Sequence, residues 1–560
     1  MTTRTTPTTT PTTGPTTAHV TAQVTAPTAG PTTARATVRG TLGELWRRVL
    51  RVPHVSDDGD FFALGGDSFR AAQLAALIGE RLGVPATAAL PFERPEFTAQ
   101  VRWIEDALAV SAPDEAADEA AADLVAPAGP ETAALSTQQE DFLYWMFESE
   151  PVRDIGSCCT AIRITDALDV PLLVRTLNAL VLRHEALRTV VGGDGTARVV
   201  DDLPPEVAEA WAGDEAEAER IVWHERMRLD DVIAGPLVRA LVVHIGPDED
   251  DDHVLVLAVH HFAFDGFSFG VLLRELGLVY SAFRAGHPSP LRPLPITYAD
   301  YCRYTRTRWP ANQPYWDRVL DGAPRDLTPF PGRKDTAMFS RRRYGFPIDA
   351  GLGARLAGTA RARGATPFMA VAACWTWLLA EWTGTTDVVV MSPVPGRTLP
   401  EHETIIGCLV QSLLMRFDAS GGPTYTELVE RVRQVAVGAV AHQFHAYQDA
   451  RRRVPYPSRI HYESFGAPHF PGLLSEPFPF PRDQVELEWA ANPGELDLSA
   501  PELIVEEQRD GSLRCAIVYN HYGYDPATVA ELADAFLGFV TAAVERPEAV
   551  LPPLRAGHGN

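Results

Sequence analysis

Between Ser111 and Pro130 the chain runs almost wholly through Ala, Asp, Glu and Pro, including Pro113-Asp114-Glu115-Ala116-Ala117-Asp118-Glu119. A stretch so poor in large apolar side chains cannot bury enough surface to offset the entropy of ordering its backbone. It reads as a mobile acidic linker over 111–130, and it forces the chain to fold as separate units on either side. Residues 1–38, dominated by Thr, Pro and Ala, carry a similar signature and are expected to be a disordered tail, either a plain tether or a docking segment. For a chain of 560 residues, about three folding units are expected.

The unit before the linker, 39–110, is helical by its periodicity. Leu42, Leu45, Trp46, Val49 and Leu50 fall on one face, as do Leu74, Leu77, Ile78 and Leu82, and then Phe97, Val101, Ile104 and Leu108. With a long loop from Val52 to Gly66, this predicts a small helical bundle. Beyond the linker, strand and helix signals mix. Val254 to His260 and Asp387 to Met391 suit buried strands, and Phe269 to Arg284 suits a helix. Phe368 to Leu379 is too short for a bilayer and reads as a buried helix. The region is α/β or α+β with many crossovers.

A formal charge of −24 argues against nucleic acid or an anionic membrane as partner. The six cysteines are dispersed without CxxC or Cys/His ligand spacing, which predicts small core residues in a reducing compartment and no metal site. Met1-Thr2-Thr3-Arg4 leads into no apolar signal core, so the cytoplasm is the expected location.

Two short motifs carry chemistry. In Leu64-Gly65-Gly66-Asp67-Ser68-Phe69 a tight glycine turn places Ser68 at a helix start, where free N–H groups and the helix dipole favour an attached phosphodiester. Alone, the same run also reads as an ordinary N-cap. In His260-His261-Phe262-Ala263-Phe264-Asp265-Gly266 a buried strand delivers two histidines, an aspartate and a glycine to its end. An imidazole there can take the proton of an attacking amine, and backbone N–H groups near Gly266 can meet an oxyanion. Satisfied structural histidines, or His260 and Asp265 as metal ligands, are the alternatives.

The stretch Phe61 to Leu74 resembles peptidyl carrier proteins along its length. The resemblance implies that Ser68 is esterified with 4′-phosphopantetheine. Leu135-Ser136-Thr137-Gln138-Gln139, Arg183-His184-Glu185-Ala186-Leu187-Arg188-Thr189, the run His260 to Gly266, Tyr298-Ala299-Asp300-Tyr301, Pro393-Val394-Pro395-Gly396-Arg397 and Ile406-Gly407-Cys408-Leu409-Val410 resemble, in order, the motifs of nonribosomal peptide synthetase condensation domains. Asp497-Leu498-Ser499 and Tyr519-Asn520 resemble the closing strands. The resemblance implies a small all-α four-helix carrier bundle plus an α/β two-lobed condensation domain of chloramphenicol-acetyltransferase type, with lobes 131–304 and 305–555 in a V.

Carried over by position, His261 is the catalytic histidine, with His260 and Gly266 beside it. Asp265 is expected to be structural, paired with Arg188 in preference to Arg183. Arg397 supports the site. Gln411 stands where the family usually has Asn, and Ala441-His442-Gln443-Phe444-His445 matches the sixth motif only in part. Asp67 before Ser68 is commoner ahead of epimerisation domains. Condensation by His261 is the leading reading, and a catalytically idle docking platform or an epimerisation domain are the alternatives. The partners implied are a trans-acting adenylation enzyme, a phosphopantetheinyl transferase, an acceptor carrier or free acceptor, and other synthetase subunits.

Overall fold

The structure, a computed structural model, describes residues 31–552 apart from 67, 85, 87–89, 111–133, 149–155, 194, 229–231, 234, 247–251, 326, 328–331, 335–337, 446–449, 451–452, 455–457, 464–467, 479–486, 491–499 and 509. The linker 111–130, Asp67, Asp497-Leu498-Ser499 and most of the expected tail therefore lie outside the described residues.

The first unit comprises α1 (Pro31–Leu50), α2 (Ser68–Leu82), the single turn α3 (Leu90–Glu93) and α4 (Phe97–Val110). Helix α1 starts inside the segment expected to be disordered, which corrects the tail boundary. Proline is well tolerated in a first helical turn, and Val38 and Leu42 anchor the helix in the core. Trp46 stands edge-on to Phe61 and Phe97, each ring centroid 5.3 Å away, and its Nε1 donates to Gln100 Oε1 at 3.0 Å. The expected faces are buried except at their ends, where Leu82 is half-buried and Leu108 is exposed.

After α5 (Thr137–Glu148), the next unit is built on strands β1 (Ser157–Ile164), β4 (Glu206–Ala212), β5 (Val238–Ile245) and β6 (His253–His260). A short ribbon, β2 (Thr189–Val191) with β3 (Ala197–Val199), stands apart. Helices α6 (Val170–Arg183) and α8 (Ser268–Arg284) pack together, and α7 (Glu215–Arg226) packs against β4 and β5. Every residue of β6 is buried, as its unbroken apolar run requires of a central strand covered on both faces.

Helix α9 (Tyr298–Val319) leads into the last unit, with β7 (Met338–Ile348), α10 (Ala350–Arg361), α11 (Pro367–Thr383), β8 (Asp387–Val394), β9 (Gln411–Asp418), α12 (Tyr425–Ala441), β10 (Ser458–Glu463), β11 (Ser475–Pro477), β12 (Leu487–Ala490), β13 (Glu502–Glu507), β14 (Leu513–Asn520) and α13 (Pro526–Glu545). Its sheet runs β12-β7-β14-β13-β10-β8-β9, with β8, β10 and β13 parallel. Helix α11 is buried on all sides from Met369 to Ala380, as a nearly all-apolar sequence demands. Helix α13 is long and apolar enough to cross a membrane, but Val529, Leu532, Phe536 and Val540 are buried in the core it shares with α10 and α11.

Two features correct a clean division at residue 304. Helix α9 spans that boundary. Strand β11 leaves the second lobe and completes the first lobe's sheet, whose order is β11-β1-β6-β5-β4. Gly277 lets that crossover close in, since a Cβ there would sit 2.4 Å from Pro471 O.

Candidate active site

His261 follows β6 in a single 3-10 turn, His261–Ala263. Register fixes its position, because β1 pairs Ser157 with His260 and His261 N donates to Gly156 O at 3.1 Å. The turn is pinned from within, with His260 Nδ1 accepting from Phe262 N at 3.1 Å. It is also pinned from α5, where Gln139 Nε2 donates to Phe262 O at 2.8 Å. His261 Nδ1 lies 2.8 Å from Phe264 O. A carbonyl only accepts, so Nδ1 carries the proton and Nε2 is the basic nitrogen of the ring. The imidazole is half-buried, and Gly266 beside it is exposed.

Two thiols flank the ring. Burial disfavours the charged imidazole, but Cys158 and Cys408, both within hydrogen-bonding reach, favour it, and the balance lies above the ordinary histidine value. Burial pushes the Cys408 thiol up. The sequence pattern predicts both cysteines to be core residues. Cys408 is buried, yet it borders the His261 ring.

Asp265 does not pair with Arg188 or Arg183. Arg397 holds it from the second lobe through Nη1 at 2.8 Å and Nη2 at 3.0 Å, with the guanidinium fully buried over the Phe267 ring. Asp265 also accepts from Leu409 N at 3.0 Å, Ser268 N at 2.9 Å and Ser268 Oγ at 2.8 Å. Arg183 instead bonds Glu275 of α8, which also takes His184 Nε2 at 2.8 Å, while Arg188 donates to Val200 O at 2.7 Å. The reason is topological: the second motif lies at the end of α6 against α8, whereas the segment after β8 reaches across the lobe junction to Asp265.

That segment depends on one glycine. Gly396 has φ +68°, and a Cβ there would lie 1.9 Å from Leu409 O. Tyr301 OH donates to Gly396 O at 3.2 Å and Leu409 O at 3.0 Å, and Tyr298 OH to Cys408 O at 2.9 Å, so the fourth motif braces the fifth. Gln411 Nε2 donates to Leu409 O at 3.0 Å and Val410 O at 3.1 Å. It is a buried brace in the same loop. His402, packed edge-on against Tyr301 and Tyr304, is driven down to about 3, first by burial and then by Arg397 and Arg308. Ser268 and Glu275 were missed from sequence. Glu275 had a signal, a carboxylate among the apolar positions of α8, but Ser268 looked like any helix start.

On the carrier side, Ser68 is the first residue of α2, a helix of 15 residues. Gly65 takes φ +92°, and Gly66 admits no side chain, since a Cβ would meet the Phe61 ring at 2.3 Å. The turn therefore sets Ser68 at the start of the helix, where backbone donors favour a phosphodiester. The bundle rests on the second lobe. Helix α2 packs on α12, and buried Gln73 donates through Nε2 to Glu403 Oε1 at 2.6 Å and Arg397 O at 3.3 Å.

Two interlocked sheets with a histidine turn at the end of β6 beside their junction, and an attached helical bundle, define a carrier joined to a chloramphenicol-acetyltransferase-like fold. The phosphopantetheine attachment-site model matches residues 40–104, and the condensation-domain model matches 131–554. The chain belongs to the condensation-domain family and is a nonribosomal peptide synthetase component whose carrier domain bears covalent 4′-phosphopantetheine.

Among relatives, malpibaldin synthetase of Mortierella alpina is 32% identical over 418 residues, 72% of this chain and 7% of that protein. Malpinin synthetase of the same organism is 30% identical over 437 residues, 75% of this chain and 5% of that protein. The chain thus spans only a small fraction of these relatives' length. The crystal structure of SgcC5 from Streptomyces globisporus is similar with a TM-score of 0.61 and 26% identity, covering 74% of this chain and 100% of that one.

Proposed function

We propose that this chain catalyses condensation, with Ser68 presenting the acyl donor and His261 activating the incoming nucleophile. The observation that supports the reading is the His261 Nδ1 bond to Phe264 O, which commits one ring nitrogen as a donor and makes the other the basic one. When bound, the pantetheine thiol supplies a thioester that activates an acyl group. His261 Nε2 accepts the proton of the attacking amine, or of a hydroxyl if the product is an ester. Gly266 lets the reacting carbonyl approach the main chain with no side chain in the way. Asp265 and Arg397 hold the turn by locking the two lobes together below it.

The contact of Gln73 with Arg397 O supports the donor assignment for Ser68, which lies on the same helix. The partners this reading requires are a trans-acting adenylation enzyme, a phosphopantetheinyl transferase and an acceptor on a second carrier or free, alongside other synthetase subunits in the cytoplasm.

The test loads the phosphopantetheinylated chain with an acyl group, supplies acceptor amines and follows product by mass spectrometry. His261→Ala is expected to lose at least about 100-fold in rate, and Ser68→Ala to accept no pantetheine. Product formed by His261→Ala at the wild-type rate would sink the assignment and leave the idle platform as the better reading.

A further inference from the structure

Gln73 of α2 is polar yet only 2% exposed, because the second lobe covers it. The cover is the 3-10 turn Pro400–Thr404. That turn carries two acids, and both meet the bundle. Glu403 receives Gln73 at 2.6 Å through one oxygen and Arg51 at 3.0 Å through the other. Glu401 faces Arg48 at 3.5 Å. Arg48 lies in the last turn of α1, where a cation also complements the helix dipole, and Arg51 follows it. The contact thus sets positive charge on the carrier against negative charge on the catalytic unit, in a chain whose overall charge is −24.

We propose that Glu401 and Glu403 are carrier-recognition residues that seat a bundle bearing basic side chains at the end of its first helix and a glutamine at the position of Gln73. This rests on the donor reading of Ser68 above. Close opposite charges favour the right partner, and a carrier with acids at the positions of Arg48 and Arg51 meets repulsion instead. The seat is also joined to the site, because Gln73 donates to the main-chain carbonyl of Arg397, whose guanidinium holds Asp265. Docking of the carrier and rigidity of the Asp265–Arg397 junction are therefore linked through one residue. Gln73 serves as a positioning residue and takes no part in the chemistry.

The test needs no turnover. Hydrogen–deuterium exchange of the unmodified full chain is followed in α2 and in the 400–404 turn for wild type, Glu403→Arg, Arg51→Glu and the double variant Glu403→Arg/Arg51→Glu. Each single variant should speed exchange in both segments by about tenfold or more, the size expected for losing hydrogen bonds to a charged group. The double variant should restore part of the protection, through the ion pair with its charges exchanged, while the Gln73 bond to position 403 stays lost. Unchanged exchange in both single variants, or no recovery in the double variant, overturns the proposal. In a second arm, Ser68→Ala protein is given loaded carriers in trans. Basic residues at the positions of Arg48 and Arg51 should raise the rate, and an equal rate without them overturns selection by charge. Absence of turnover with every carrier would count against the condensation reading and leave the exchange result standing.

Discussion

Replacing Asp265 by alanine strands a cation. The Arg397 guanidinium is fully buried, and without Asp265 it keeps Ser268 Oγ at 2.9 Å, Pro395 O at 3.1 Å and the face of the Phe267 ring, none of them an anion. Removing one partner of a buried pair costs about 3–5 kcal/mol, because the remaining charge is left uncompensated. The amides of Leu409 and Ser268 lose their acceptor in the same step. Asp265→Asn keeps the shape and part of the hydrogen bonding but loses the charge, and should cost about 1.5–3 kcal/mol.

The double variant Asp265→Asn/Arg397→Met removes both charges and should recover to within about 2 kcal/mol of wild type. Guanidinium unfolding followed by tryptophan fluorescence reads these differences as midpoint shifts, with Arg188→Ala as a control expected to cost far less than Asp265→Ala. If the double variant were as unstable as Asp265→Ala, the stranded charge would not be the cause. If Arg188→Ala matched Asp265→Ala while Arg397→Met was silent, the pairing itself would be wrong.

Gly66→Ala forces a Cβ to within 2.3 Å of the Phe61 ring and should cost the carrier bundle about 2–3 kcal/mol, read as slowed pantetheine uptake by intact mass. Gln411→Asn shortens the brace by one methylene, so its bonds to Leu409 O and Val410 O fail. A loss of about 1 kcal/mol in unfolding midpoint is expected, with His261 chemistry retained. His402 binds its proton in the unfolded chain near pH 6.5 but in the fold only near 3. Stability is therefore retained above pH 6.5 and lost as pH falls from 6.5 toward 3, by about 2 kcal/mol at pH 5. His402→Phe, which keeps the ring between Tyr301 and Tyr304, should flatten that loss in unfolding measured from pH 7 to pH 5.

Short-range chemistry was legible in the residues themselves. Gly65 and Gly66 stand where a left-handed turn and a close approach leave no room for a side chain, so the helix start at Ser68 followed from them. The apolar run of β6 suited a buried strand, and that put His261 at its end. Helix α11 was recognised because its run is almost wholly apolar and carries no charge before Glu381. What tertiary structure alone decided was which distant groups meet. Arg183, Arg188 and Arg397 are equally cationic in the sequence. Only the path of the segment after β8, turned by Gly396 and braced by Tyr301, brings Arg397 rather than the others to Asp265. Strand β11 crossing to the first lobe, Cys408 beside the imidazole and Gln73 under Glu403 have the same origin. An electrostatic or hydrogen-bonding partner hundreds of residues away leaves no periodicity or spacing behind, because Coulomb attraction selects by distance in space, and the topology of the two interlocked sheets sets that distance.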